Sequence, residues 1–469
     1  MFTRRQMLRS TLATTAAAAG GSLLGSSLAG CAAVPGRENS PVKQRRKPLE
    51  KVRILQVGVG GSIAPADREQ LKAHPDVVFT GLCDVDAQAL AAVSKEFPEA
   101  FTCVDFREAF AKHSDRFDAA LVCVPDHNHA LILLTALKAE KHVYGQKPLV
   151  QQLSEVAAME QGLAARPELV TQVGNQRMGP VGRQHAVDIL RRGLLGKAVE
   201  AHVWVNGPPD QGDGYFYYGG LKDPTPPPEH VHWPLWLGAA LDAPHREGLV
   251  GLRWRSSWDY GTGQLGDWCT HLLDVLFYAY DLGSPQAVLS HTRAASDFYH
   301  AQHVHSVLSF AGGGPRFANA VFPVHYSDKG QFPSRASLGL PPGEFERTGT
   351  LVVCEHGVLY VAPEGHLEVW IDGRPVRWEE LPGLGAVTAR NHWHSWVDTI
   401  QGREGAFLQS PFQVAAPMAE AGLLCAKAAR FPGVELLWDK QKLAFTNHDE
   451  ATNTIVRREY RPGFELPVF

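Results

Sequence analysis

Val52-Arg53-Ile54-Leu55-Gln56-Val57-Gly58-Val59-Gly60-Gly61-Ser62-Ile63 decides how the rest of the chain is read. Six β-prone residues run without a linker into a glycine-rich turn. Gly58, Gly60 and Gly61 let the backbone bend sharply and approach a pyrophosphate, while Ser62 and Ile63 lead into a helix whose amino end meets the negative charge. Ile63 stands where the usual pattern has its third glycine, so close packing of that helix on the strand is not guaranteed by the motif. The helix should begin near Pro65 and Ala66 and stop before Pro75. A second apolar strand, Val77-Val78-Phe79-Thr80-Gly81-Leu82-Cys83, ends at Asp84. An acid there bonds adenosine ribose hydroxyls and repels a 2'-phosphate, which favours NAD over NADP. Asp86 can serve as the cap of the next helix.

The alternation continues outward. Ala87 to Phe97 has helical spacing, and Asp118 to Val124 is almost wholly apolar, as a strand buried on both faces must be. It stops at Pro125-Asp126-His127-Asn128-His129. Two histidines two positions apart diverge on a helix, so they are not read as a metal pair. Val124, Pro125 and one histidine, His129, are read against the cofactor, the other histidine as a cap for the helix Ala130 to Ala139. That helix returns the chain to His142-Val143-Tyr144-Gly145-Gln146-Lys147-Pro148-Leu149, where a short strand delivers Lys147 to the end of the sheet. A turn at the X-Pro bond aims this lysine at a bound cofactor, within reach of a substrate hydroxyl. Leu153 to Ala165 and Leu169 to Gly174 add a helix and a strand, and the whole specifies a doubly wound parallel sheet.

At 469 residues the chain exceeds one hydrophobic core, so two domains are expected. A composition 44% apolar and 20% charged is that of an ordinary globular protein, and a net charge of -4 without a basic stripe argues against a nucleic-acid partner. No run approaches the roughly 18 apolar residues of a membrane span. The first residues differ: Thr3-Arg4-Arg5-Gln6-Met7-Leu8 precedes a mildly apolar Ala/Gly stretch, a twin-arginine export signal, and Leu28-Ala29-Gly30-Cys31 resembles a lipobox that would anchor Cys31 to lipid. A periplasmic or cell-envelope location follows. The other six cysteines show no ligand-like spacing and are read as small buried hydrophobes rather than disulfides.

After Arg177 the alternation gives way to spaced strands near Val199 to Val205, Val288 to Thr292, Val304 to Phe310, Phe317 to Val324, Gly349 to Val353, Gly357 to Val361 and Leu367 to Ile371. They read as an open, mainly antiparallel sheet in an α+β domain. The resulting plan is a signal 1–31, a tether 32–50, a dinucleotide-binding domain 51–177, the α+β domain 178–433 and a tail of short strands 434–469. Leu265 to Asp281 carries the stripe of one helix, on which Asp267 and His271, four apart, share a face and can hydrogen-bond. A carboxylate on one imidazole nitrogen leaves the other basic, suited to take a hydroxyl proton. An ion held by Asp267, His271 and Asp274 is set aside because Asp274 lies a further turn along, and no metal ligands are expected. Trp258, Asp259 and Tyr260, in a glycine-rich loop with Trp254, are candidates for a sugar ring. The cluster Tyr215 to Tyr218 is another, and His392, opening a late helix, a third.

Six motifs in this order resemble the Gfo/Idh/MocA oxidoreductase family: the glycine turn, Cys83-Asp84-Val85-Asp86, Val124 to His129, Lys141-His142-Val143-Tyr144 with Lys147-Pro148, Gly174-Asn175-Gln176-Arg177, and Gly266-Asp267-Trp268-Cys269-Thr270-His271. The resemblance spans Val52 to Leu466. It implies that Lys147, Asp267 and His271 form the catalytic group, that Gln176 lies near the nicotinamide with Gln146 also among the cofactor contacts, and that the open sheet pairs subunits into a dimer or tetramer. The family's Glu-Lys-Pro is Gln146-Lys147-Pro148 here, so the motif lacks its carboxylate. The expected activity is hydride transfer between NAD(P) and a secondary alcohol of a sugar, cyclitol or glycoside. Outside the cytoplasm no pool of free dinucleotide is expected, so NAD should be tightly bound and regenerated on the enzyme. That allows two alternatives, a redox-neutral glycoside hydrolase working by oxidation and elimination, and a non-catalytic sugar-binding lipoprotein.

Overall fold

Strands β1 (Val52–Val57), β2 (Val77–Cys83), β3 (Phe101–Cys103), β4 (Ala119–Val122), β5 (His142–Gly145) and β6 (Thr171–Val173) lie parallel in the order β3-β2-β1-β4-β5-β6. Helices α1 (Ala64–Lys72), α2 (Ala87–Ser94), α3 (Phe106–Lys112), α4 (His129–Lys138) and α5 (Leu153–Ala165) make the crossovers. The order reverses between β1 and β4, which opens a crevice at their carboxyl ends. β3 and α3 carry no signal in the sequence reading, since three residues are too few to show a period. This computed structural model describes residues 49–206, 221–292, 297–301 and 303–469. The leader with Cys31, nearly all of the tether, and Tyr215 to Tyr218 lie outside the described residues.

The second sheet contains β7 (Ala198–Val205), β8 (Ala287–His291), β9 (His305–Ala311), β10 (Val321–Asp328), β11 (Gly349–Cys354), β12 (Gly357–Val361), β13 (Leu367–Ile371), β14 (Arg374–Val376), β15 (Glu435–Asp439) and β16 (Ala444–Phe445). Its order is β14-β13-β12-β11-β7-β10-β9-β8-β15-β16. Pairing is antiparallel except at its centre, where β10 runs parallel to β7. One face packs against α6 (Val181–Arg191) and the helices Gly263–Leu272 and Phe412–Ala428; the alternation of buried and half-buried residues along β9 marks the other as open. The tail is not all strand. β15 extends the sheet beside β8, but Asp449–Ile455 is helical, and the last residues return to the parallel half, where Arg458 meets Glu155 at 2.8 Å.

The remaining helices are α7 (Trp233–Leu237), α8 (Gly263–Leu272), α9 (Asp274–Tyr280), α10 (His392–Ile400), α11 (Phe412–Ala428) and α12 (Asp449–Ile455). The single helix expected over Leu265 to Asp281 is therefore two, meeting at Leu273. Three successive carbonyls are drawn off by side chains: Asn175 Nδ2 donates to Thr270 O, Arg183 Nη2 to His271 O and Thr350 Oγ1 to Leu272 O. The Val275 N–H turns to the Asp274 carboxylate instead. Local competition of this kind ends a helix. α11 lies against α5 and α8, so one apolar core joins the two sheets' layers. All six described cysteines are free.

Candidate active site

The nucleotide end is built locally. Gly58 has φ +82°, and a Cβ there would lie 2.2 Å from the Cys123 carbonyl oxygen, so β1 and β4 close only on a glycine. Gly61 also has positive φ but faces open space. Ile63 is the N-cap of α1 and lines the cavity, while fully buried Ala64 provides the close approach of helix to sheet. Asp84 Oδ2 accepts from Val59 N (2.8 Å) and Gly60 N (3.0 Å), and its Oδ1 from Asp86 N. Burial raises its pKa against those backbone donors. Asp86 caps α2 through Gln88 N and Ala89 N. A segment from the second half roofs this end: His230 Nδ1 meets Asp86 Oδ1 at 3.0 Å, Ala87 N donates to His230 O and His232 N to Val85 O.

A cavity of about 580 Å³ runs from Gly58, Gly60, Gly61, Ser62, Ile63 and Asp84, past Val124, Pro125 and Gln146, to Lys147, Gln176 and His271. That is the size and shape of a cofactor cleft. A bare glycine turn, an uncapped helix start and an acid at the second strand's end fit a dinucleotide.

The reactive end is assembled from distant segments. Gln146 N extends the β5 ladder to Val122 O, and the Lys147–Pro148 bond that follows is cis. Lys147 Nζ lies 2.8 Å from Asp267 Oδ2, and Arg255 Nε 3.5 Å from Oδ1 of the same carboxylate. Asp267 thus holds the lysine, not the histidine. The expected Asp267–His271 bond is replaced by His271 Nδ1 to Asn175 Oδ1 at 2.7 Å. Asn175 Nδ2 donates to Thr270 O and Asp274 Oδ2, and Asp274 pairs with fully buried Arg183. Because the Asn175 amide nitrogen is committed to acceptors, its oxygen must face the ring. His271 therefore carries its proton on Nδ1 and leaves Nε2 as the base. Burial, reinforced by the charge of Lys147, Arg177 and Arg183, holds its pKa well below the ordinary value.

Gln146 Oε1 accepts only from the Lys147 backbone N–H, at 3.4 Å, and not from its amine. Its amide donates to Asp67, a buried carboxylate on α1 that also takes the Trp393 indole at 2.8 Å. Burial pushes Asp67 up to about 6. Gly174 is bare because a Cβ there would lie 2.5 Å from Gln146 Nε2.

Several expected residues lie elsewhere. His129 does not line the cavity; its ring bridges Pro148 O (2.6 Å) and Val124 O (2.8 Å), clamping the turn that carries Lys147. The cap expected from His127 is absent, since the N-cap of α4 is Asn128 and makes no side-chain cap hydrogen bond. Trp258 is buried against His300 and Arg430, Asp259 is exposed, and Tyr260 packs on Trp236 and His127. His392 is buried under β6, bonded to Val173 O, and lowered to about 4 by burial. None of these four lines the cavity. Trp236, Trp254, Arg255 and Asp126 do. Asp126 is fully enclosed, accepts from Thr262 Oγ1 at 2.8 Å, and is pushed up to about 7 by burial and then by the Asp267 charge. A lone acid after a strand gave no reason to single it out.

A parallel sheet of this order, with an amine and an imidazole over the far end of its cleft, defines a nucleotide-dependent oxidoreductase. Family models specify which kind. Residues 52–174 match the oxidoreductase family with NAD-binding Rossmann fold, and residues 185–308 match the C-terminal alpha/beta domain of that family. The chain belongs to the Gfo/Idh/MocA family of NAD-binding oxidoreductases. Among solved structures it is similar to the WlbA dehydrogenase of Chromobacterium violaceum in complex with NADH and UDP-GlcNAcA, with 16% identity, TM-score 0.59, and 84% of this chain covering 98% of that one. It is similar also to an inositol dehydrogenase homolog of Azotobacter vinelandii in complex with NADH and myo-inositol, with 16% identity, TM-score 0.57, and coverage of 83% and 98%. The aldose-aldose oxidoreductase of Caulobacter crescentus, complexed with glycerol, shows 14% identity, TM-score 0.54, and coverage of 83% and 100%. No curated protein matches the sequence.

Proposed function

We propose that this protein oxidises a secondary alcohol of a sugar, cyclitol or glycoside, and that Lys147, His271 and Asp267 do the protein's part of the chemistry. The observation that carries this reading is that Lys147 and His271 line one cavity with Gln176 and the glycine turn. His271 Nε2 removes the hydroxyl proton, its tautomer set by Asn175. Lys147 Nζ donates to the same oxygen, and Asp267 holds the amine in place. NAD, when bound, supplies the hydride acceptor. Trp254 and Trp236 give the ring apolar walls. The fold's occurrence with UDP-GlcNAcA in one protein and myo-inositol in another supports a polyhydroxylated ring as substrate.

The roof over the adenosine end supports a cofactor that remains bound between turnovers. In an exported enzyme, as the twin-arginine reading implies, the hydride then returns on the enzyme. It goes either to a second sugar or to the same glycoside after its bond has been eliminated. The test is to soak purified protein with NAD and follow the reduced nicotinamide band against a panel of sugars, cyclitols and glycosides, with product analysis. A keto sugar or aldonate supports simple oxidation, a shorter glycan the redox-neutral route. No band and no product with any member of the panel would overturn the proposal.

A further inference from the structure

The open face of the second sheet carries a row of imidazoles that the reaction does not use. His202 on β7 stands directly opposite His325 on β10, and their rings stack with centroids 4.7 Å apart. On the next strand His305 is diagonal to His325, since its direct partner is Ser327, and its Nε2 lies 3.3 Å from His325 Nδ1. Glu200, two residues before His202 on the same face, places Oε1 3.2 Å from His202 Nε2. One ligand atom from each of Glu200, His202 and His325 lies within 4.8 Å of the others.

We propose that Glu200, His202, His325 and His305 form a site for a divalent transition-metal ion of Zn2+ type, which staples β7, β10 and β9 across the open face. Around a tetrahedral ion with bonds of about 2.0–2.1 Å, neighbouring ligand atoms are about 3.3 Å apart. The Glu200–His202 pair at 3.2 Å and the His325–His305 pair at 3.3 Å each have the spacing of one such edge. Glu200, His202 and His325 already lie within 4.8 Å of one another, and rotation about the soft χ2 bonds of the stacked rings is the movement that would bring His305 onto the same ion. Three nitrogens and a carboxylate oxygen suit Zn2+ or Co2+ rather than Mg2+ or Ca2+, which prefer oxygen. The site had no signature in the sequence because its ligands come from three strands, and only Glu200 and His202 are close along the chain.

The experiment uses untagged, full-length protein stripped with chelator and titrated with Co2+, whose visible absorption distinguishes tetrahedral nitrogen and oxygen ligation from octahedral hydration. One equivalent per chain with the tetrahedral spectrum, displaced by Zn2+, is the expected result. In His325→Ala the affinity should fall by at least about 10-fold, the lower end of what losing even a supporting group around a metal costs. Glu200→Gln should weaken binding less while keeping the spectrum. NAD binding in both variants should equal that of the parent, which shows that the chains are folded. Octahedral spectra alone, or the same tetrahedral titration in the triple variant His202→Ala/His305→Ala/His325→Ala, would overturn the proposal.

Discussion

The two ends of the cavity are made in opposite ways. At the nucleotide end, Asp84 reaches Val59 and Gly60 across separations of 25 and 24 residues, all within one strand-helix-strand unit. At the reactive end, Asn175 meets His271 across 96 residues and Asp126 meets Thr262 across 136. Contacts within a unit are specified by the order of residue types. Contacts across the chain depend on how two layers dock, so residue types there propose partners without assigning them.

The sharpest way to break the contrast is at Lys147, which a local turn aims and a distant carboxylate holds. Lys147→Met should lower kcat by roughly 10³-fold, within the range for a lost proton-handling group, and leave NAD affinity unchanged. Retained turnover would mean that the reactive end lies elsewhere. Asn175→Ala tests the long-range partner. Losing the buried acceptor on Nδ1 should lower kcat by about 10- to 100-fold, equivalent to about 1–3 kcal/mol, with NAD affinity again intact. In the parent enzyme the acid limb of kcat/KM should fall below pH 6.5, because His271 is held neutral by burial and by nearby cations; a limb at or above 6.5 would argue against His271 as the base.

At the nucleotide end, Asp84→Ser should weaken NAD by about 10-fold and narrow the discrimination against NADP, as expected for loss of a charge-assisted hydrogen bond. Isothermal titration with both dinucleotides reads the outcome, and unchanged selectivity would remove Asp84 from ribose recognition. The smallest effect is expected at Gln146→Glu, which restores the family's residue opposite Asp67. In the parent, Asp67 titrates near 6 when folded and lower when unfolded, so between about pH 4 and 6 only the folded chain keeps this proton. The folded state therefore loses stability as pH rises through that window. A second carboxylate should extend the loss to higher pH and lower Tm at pH 7 by about 2 °C. A Tm equal to the parent's at pH 7 would show that the introduced carboxylate finds another partner.

Much of the site could be read in advance because glycine turns and strand ends are local events. Gly58, Gly60, Asp84, Lys147 and Gln176 all line one cavity. The aromatic candidates Trp258, Tyr260 and His392 lie off this cavity for the complementary reason. Trp258 and Trp254 are equally buried, yet the first packs on His300 and Arg430 while the second faces the cavity. Helical spacing put Asp267 and His271 on one face, but it could not register that Lys147 and Asn175 would approach from another layer and take one each.

From its residue order alone this protein was determined to be a doubly wound dinucleotide fold followed by an open, mainly antiparallel sheet. Hydrophobic periods and turn residues act over a few positions and survive without knowledge of the rest. Tertiary structure alone decided which carboxylate holds the lysine, which amide sets the imidazole's tautomer, and which strands bring Glu200, His202 and His325 together. Those are electrostatic and hydrogen-bond choices among groups far apart in the chain, made only when burial removes water as the alternative partner.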